Sequence, residues 1–232
     1  QTIVIGVGLT TPPYGMTDKS GKPAGFDTDV AKELAKFLGV KANIFEVTAD
    51  GRIPTIQSGK ADIISFTLTQ TPEREEQIDF STATMNTYQG VAVLKSSSIK
   101  SIDELGDKTL SAQKGALGAT VAAQAYPNAT LQQYDTAVAT RLAVEQGQAD
   151  AIVDSISVLA YAIGHGSDKL RVVPGVVGAE LQHYGFGILK GNSTLKKKAD
   201  AFLKQFHAKG EGKTLYKKWF GSDAPADVFK GL

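Results

Sequence analysis

The chain has 232 residues, 42% of them hydrophobic and 21% charged, enough apolar material for one large domain or for two lobes of ordinary size. With 25 basic against 24 acidic residues the net charge is +1, which leaves no electrostatic footprint for nucleic acid or an anionic membrane. Cysteine is absent, so thiolate metal sites, thiol nucleophiles and disulfides are excluded together, and no apolar run approaches the roughly 20 residues of a membrane-spanning helix.

Strand and helix signals alternate from end to end. A β-branched strand is predicted over Thr2–Gly8, so the chain enters a strand at once, as expected of a mature protein whose signal peptide is gone. Gly25-Phe26-Asp27 opens a helix with Val30, Leu34, Phe37 and Leu38 at helical spacing, and Gly39 ends it. A strand at Lys41–Val47, a short helix at Ile53–Ser58 and a strand at Asp62–Phe66 follow. After residue 90 the pattern restarts with a strand at Gly90–Leu94, a polar connector and a short helix at Ile102–Leu105. A second set is predicted as strand Thr109–Ala112, helices near Gly118–Ala125 and Thr136–Gln146, strand Ala149–Val153 and a helix from Ser155 to Ala162. Tyr184–Leu189 reads as a strand, Leu195–Lys209 as a long amphipathic helix, and a last helix carries Tyr216, Trp219 and Phe220. This βαβ alternation predicts an α/β fold of two lobes, each a mostly parallel sheet flanked by helices, joined by two extended crossings near 86–92 and 183–189. Residues 1–88 with 187–232 would form one lobe and 89–186 the other. Right-handed crossovers then gather loops at the carboxyl ends of the strands, the usual ligand crevice of open α/β sheets.

One stretch carries chemistry. In Ser65–Ser81, SFTLTQTPEREEQIDFS, Ile64, Phe66 and Leu68 alternate with Ser65, Thr67 and Thr69, as in a half-buried strand. Thr71 is then a candidate N-cap with Pro72 at the first helical position, and Arg74 falls at the junction. A guanidinium beside threonine hydroxyls and backbone N–H groups suits a small carboxylate. The plainer alternative is a surface arginine paired with Glu73 or Glu75. The three histidines, His165, His183 and His207, lack metal-ligand spacing. Gly212-Lys213-Thr214 echoes a phosphate-binding loop, yet His207 stands where its first glycine belongs. Lys196-Lys197-Lys198 reads as a solvated helix face.

The segments PPYGMTDKSGKPAGFDTDVAKELAKFLGV, GRIPTIQSGKADI, TLTQTPEREEQIDFS, GVAVLK, SIDELGDKTL, QKGALG, QGQADAIVDS, YGFGILKGN and YKKWFG together resemble the amino-acid-binding proteins of ABC importers, periplasmic receptors of the two-lobed type II fold. The resemblance implies that Arg74, aided by Thr69, holds the ligand carboxylate and that the backbone at Thr67 accepts from its ammonium. It implies that Asp154, at the end of a strand in the second lobe, meets the ammonium. An N-cap on the following helix is the structural alternative for that acid. The turn Gly115-Ala116-Leu117-Gly118 would add backbone N–H groups, although Ala116 lacks the hydroxyl that relatives often supply. Aromatics that relatives place around the ligand side chain are Thr11 and Ala49 here, and Gly8 stands where some have an acid. Tyr14 matches an aromatic of the pocket wall, while Leu117, Thr120, Gln89 and Gln70 are candidate tuners. With no acid matched to a cationic side chain, a neutral amino acid or a bulkier derivative is expected, captured between the lobes by hinge bending.

The implied partners are that amino acid and the membrane permease of an ABC importer. The receptor would be periplasmic or extracytoplasmic and monomeric, with no nucleic acid, no stable membrane insertion, no cofactor and no metal. No catalytic residue is expected. The rivals are an enzyme resembling cyclohexadienyl dehydratases, which would need a general acid in the pocket, and the ligand-binding domain of a sensory receptor.

Overall fold

The computed structural model describes residues 1–178 and 181–232, which divide into two units, residues 1–86 with 182–232 and residues 87–181. The expected divisions stood at 88/89 and 186/187. Unit 1 begins with β1 (Thr2–Val7), a two-residue hairpin pair β2 (Met16–Thr17) and β3 (Pro23–Ala24), and α1 (Phe26–Phe37). It continues through β4 (Lys41–Glu46), α2 (Arg52–Gln57), β5 (Ile63–Ile64) and α3 (Pro72–Glu75) into the long strand β6 (Ile78–Leu94), which carries the chain into unit 2. Unit 2 holds a 3₁₀ turn (Ile102–Leu105), β7 (Thr109–Gln113), α4 (Leu117–Ala125), β8 (Thr130–Tyr134), α5 (Ala137–Glu145), β9 (Ala151–Ser155) and α6 (Ile156–His165). A second long strand, β10 (Leu170–Leu189), returns to unit 1, which closes with α7 (Ser193–Ala208) and α8 (Glu211–Phe220).

The two units share one wiring plan. In unit 1, β1 lies between β4 and β5 and is parallel to both, with registers Ile5↔Ile44 and Ile5↔Ile63. The end of β10 adds antiparallel to β5 through Gly187↔Ile64 and Ile188↔Ile63. In unit 2, β7 lies between β8 and β9, parallel to both, with Leu110↔Leu131 and Leu110↔Ala151. Here the end of β6 adds antiparallel to β9, from Gln89↔Ser155 to Val93↔Ala151. In each case the first strand is central, the second outer, the third inner, and a crossing strand completes the sheet. The loops after β1 and β5, and after β7 and β9, therefore lie at the carboxyl ends of parallel strands, where ligands bind in open α/β sheets.

Burial follows from the pattern. The strands of unit 2 are apolar on both faces: Val91, Val93, Leu110, Val153 and Val121 pack on one side, Ala92, Val144, Ile152 and Leu159 on the other. In unit 1, Val47, Ile56, Ile64, Phe66, Leu68, Ile78 and Phe80 form a cluster. The α1 core face is Phe26, Val30, Ala31, Leu34 and Ala35, whereas Phe37, expected inside, is 40% exposed and leans on the Phe202 ring. Helix ends use the residues their chemistry favours. The Oγ1 of Thr136 accepts from Ala139 N–H, and Ser101 with Glu104 forms a reciprocal capping box on the 3₁₀ turn.

Other expectations need correcting. The Asp62–Phe66 strand is only β5, Ile63–Ile64, because the chain turns aside at Thr67. The strands expected at Gly90–Leu94 and Tyr184–Leu189 are the last parts of β6 and β10. Ser155, not Asp154, is the residue before α6, and its side chain makes no capping bond.

Candidate functional site

The half of the site on unit 1 is built after β5. Thr71 is extended (φ −139°, ψ 154°) and its Oγ1 accepts from the backbone N–H of Arg74 at 3.3 Å, while Pro72 occupies the first helical position. This is the cap-plus-proline start that the sequence predicts. The turn projects Arg74, whose Nη1 donates to the carbonyl of Thr69 at 2.8 Å. Burial strips water from the guanidinium and lowers its pKa below the usual arginine value, an effect that Tyr184 and Glu73 oppose. The Thr69 backbone is itself fixed, bridged to Tyr184 of β10, with Gln70 N–H on His183 O at 2.9 Å and Gly185 N–H on Leu68 O at 3.1 Å. Arg74 and Thr69 thus form one unit of local structure.

Thr67 is the strained member. Its φ is +30°, a left-handed value that a β-branched residue rarely adopts. Bonds from distant elements hold it there. Its N–H donates to Asp27 Oδ2 at 2.8 Å, and its carbonyl accepts from Arg52 Nη1 at 3.0 Å. The same Nη1 donates to Phe66 O at 3.0 Å, and Arg52 Nε donates to Ala49 O at 2.7 Å. Ser65 Oγ donates to Asp27 O at 2.9 Å. Desolvation raises the Asp27 pKa to about 7, against the lowering influence of Thr67 N–H and Arg52. Asp27 and Arg52 are both buried, and sequence reasoning assigned neither a role. Their partners at Ser65, Phe66 and Thr67 lie 14 to 40 residues away along the chain, beyond any local pattern.

The loop after β1 supplies the rest of unit 1. Thr11 bridges to Gly15 through its backbone, and its buried Oγ1 has no hydrogen-bond partner among the described residues. Tyr14 lies in the core of the unit. It is fully buried, set edge-on to Phe26, Tyr184 and Phe220 at 5.3 to 6.0 Å, with its hydroxyl on Met85 Sδ at 3.4 Å.

In unit 2, Asp154 stands near the end of β9, its backbone opposite Gly90 of β6. Its Oδ1 accepts from Ser155 N–H at 2.6 Å. The start of α4 packs directly against this strand end: a Cβ on Gly118 would lie 2.4 Å from Val153 O and 3.3 Å from Asp154 Cα. Only glycine permits that approach. It brings the first turn of α4 against the backbone at the end of β9 that carries Asp154. Ala116 holds the cap position with φ −81° and ψ 157° but offers no side-chain bond. Leu117 is half-buried against the unit 2 core, Thr120 is exposed, and Gln89 Nε2 donates to Ser155 Oγ at 3.4 Å. The structure thus groups Thr67, Thr69 and Arg74 in one unit, and Asp154, Ala116, Leu117 and Gln89 in the other.

The histidines have structural partners. The His183 Nδ1 lies 2.7 Å from Asn86 Oδ1, and His207 Nε2 lies 2.8 Å from Ala83 O, with burial lowering the pKa of His207.

Comparison with known proteins places these features. Residues 3–222 match the model of the bacterial extracellular solute-binding proteins, family 3. The chain is 35% identical to the ABC transporter glutamine-binding protein GlnH of Bacillus subtilis (strain 168), over 97% of this chain and 83% of that protein. Among solved structures it resembles the cysteine-binding protein of Campylobacter jejuni, with a TM-score of 0.91 and 32% identity over 98% of this chain and 94% of that one. It also resembles the ancestral amino acid-binding protein AncCDT-1, a precursor of cyclohexadienyl dehydratase, with a TM-score of 0.86 and 35% identity over 94% and 95% of the two chains. A match along almost the whole chain and two α/β units with one wiring plan agree: the chain belongs to the bacterial extracellular solute-binding proteins, family 3.

Proposed function

We propose that the protein is an extracytoplasmic receptor that captures a neutral α-amino acid between its two units and delivers it to the permease of an ABC importer. The observation that carries this reading is Arg74, held by the Thr69 carbonyl at a helix start that also presents Thr67 and Thr69. An amino acid brings two charges, and each needs a charged or dipolar partner to offset the several kcal/mol that desolvation costs. Arg74 and the Thr69 hydroxyl take the carboxylate. Asp154 takes the ammonium, with the Thr67 carbonyl as a second acceptor. The N–H groups at the start of α4 add donors from unit 2. A ligand that touches both units only when they close on it shifts the hinge equilibrium toward the closed form. A single chain suffices for this cycle. The glutamine- and cysteine-binding relatives support the neutral class.

Titration calorimetry against the L- and D-amino acids tests this. Saturable micromolar binding of at least one neutral amino acid is expected, and no binding across the set would overturn the reading.

Two observations favour the enzyme reading: Asp27, with a pKa of about 7, has the acidity of a general acid, and AncCDT-1 is a precursor of cyclohexadienyl dehydratase. However, its carboxyl is buried and engaged by Thr67 N–H behind the loop. The receptor reading expects no prephenate turnover, and measurable turnover lost in Asp27→Asn would establish the enzyme instead.

A further inference from the structure

Asn86 is the last residue of β6 within unit 1, and His183 stands one residue inside the point where β10 enters that unit. Asn86 is buried and held by the C-terminal segment. Its Nδ2 donates to Asp227 O at 2.9 Å and to Lys230 O at 3.0 Å, and its backbone N–H donates to Val228 O at 2.8 Å. That segment is anchored in turn, with the Phe229 ring 6.0 Å from His207 and 6.2 Å from Tyr216. Two carbonyls around one end of the Asn86 amide identify that end as the nitrogen. The atom facing His183 is therefore Oδ1, 2.7 Å from Nδ1. A carbonyl oxygen only accepts, so the geometry assigns the proton to Nδ1 of His183.

The His183 backbone meets the carboxylate site. Its carbonyl accepts from Gln70 N–H at 2.9 Å, Tyr184 bridges to Thr69, and Gly185 N–H donates to Leu68 O at 3.1 Å. Thr84 Oγ1 steadies the same stretch by donating to Tyr184 O at 3.2 Å. Thr69 O is the acceptor that fixes Arg74 Nη1 at 2.8 Å. A run of hydrogen bonds thus leads from the C-terminal segment through Asn86 and His183 to the Arg74 guanidinium.

We infer that Asn86 and His183 are positioning residues for the carboxylate site: their bond pins β10 where Thr69 and Gln70 hang on it, and so sets the aim of Arg74. The inference rests on the amino-acid reading above. Neither side chain has to touch the ligand. A guanidinium grips a carboxylate through paired, directional bonds, so a small shift of the Thr69 carbonyl is felt as lost affinity.

Three measurements test this. Nitrogen-15 shifts of the ligand-free protein should show His183 protonated at Nδ1, and a bare Nδ1 would overturn the assignment. Hydrogen exchange of the Gln70 amide, also without ligand, should quicken in His183→Ala but not in His183→Asn, whose side-chain nitrogen takes the place of Nδ1. Unchanged exchange in His183→Ala, or equal acceleration in both variants, would overturn the positioning claim whatever the ligand is. In calorimetry with the best neutral amino acid, His183→Ala should weaken binding by about fivefold, the worth of one hydrogen bond, and His183→Asn should restore it. In an Asn86→Ala background, His183→Ala should cost nothing further, because the two act through one bond. Wild-type affinity in His183→Ala, no rescue by asparagine, or effects that multiply would overturn the inference alone. Failure of wild type to bind any amino acid, with the Gln70 amide still dependent on His183, would overturn the amino-acid reading instead.

Discussion

Thr67 is where single residues store energy for the site. A left-handed φ on a β-branched residue costs on the order of 1–3 kcal/mol, and it persists only because Asp27 and Arg52 hold the peptide on both sides. Asp27 makes that arrangement depend on pH. Its folded pKa of about 7 exceeds the ordinary aspartate value of about 3.9, so between those pH values the folded chain binds a proton that the unfolded chain has lost. The contribution of this group is therefore full below pH 4 and declines as pH rises toward 7, with a limiting slope of about 1.4 kcal/mol per pH unit. Asp27→Asn keeps an oxygen for Thr67 N–H but cannot ionise. Urea melts from pH 5 to 8 should show wild type losing stability relative to this variant as pH rises. Parallel profiles would contradict it. Arg74 was legible in the sequence because Thr71, Pro72 and Arg74 are neighbours and the cap is a local event. Asp27 and Arg52 were not, because each acts on a residue far along the chain.

Elements were legible where one face repeats. Amphipathic α1 and α7 follow from apolar residues at helical spacing, with ends shifted by a residue or two. The misses have physical causes. The strand β8 reads TLQQY, too polar and too short to signal itself, and it forms as the outer partner of β7. The strand β10 begins at Leu170, but Pro174, Gly175 and Gly178 interrupt the pattern ahead of Tyr184. Alternation over residues 64–69 overstated the strand, expected over Asp62–Phe66, since the chain turns aside at left-handed Thr67. At this scale the junction of α4 with β9 is the most sensitive. In Gly118→Ala the added methyl would need Val153 O to retreat from 2.4 Å, prising the helix from the strand end that carries Asp154. A loss of about 1–3 kcal/mol is expected in urea melts, with weaker amino-acid binding. Wild-type stability would mean that the helix start is not pinned there.

For the whole molecule, the repeated wiring gives each unit a loop pair at the carboxyl ends of its parallel strands, and the proposed mechanism takes the charged side chain for one ligand charge from each, Arg74 for the carboxylate and Asp154 for the ammonium. Asp154→Asn should therefore leave the fold and the Arg74 half intact while weakening binding at least tenfold. Unchanged affinity would leave Asp154 a structural role alone. Saturating ligand should raise the thermal midpoint by mass action, by about 2.7 kcal/mol of stability at 100 times Kd. No shift at any concentration would contradict specific binding. The two-lobed α/β plan was legible from βαβ alternation alone, whereas for the ligand the sequence yields only a charge class, since shape is set by packing between residues far apart in the chain. The central claim concerns one interaction, the Arg74 guanidinium with an α-carboxylate. Calorimetry of the best neutral amino acid against wild type and Arg74→Ala tests it most directly. The account predicts at least a 100-fold loss of affinity in a variant that melts as wild type does, and equal affinity in the two proteins would contradict it.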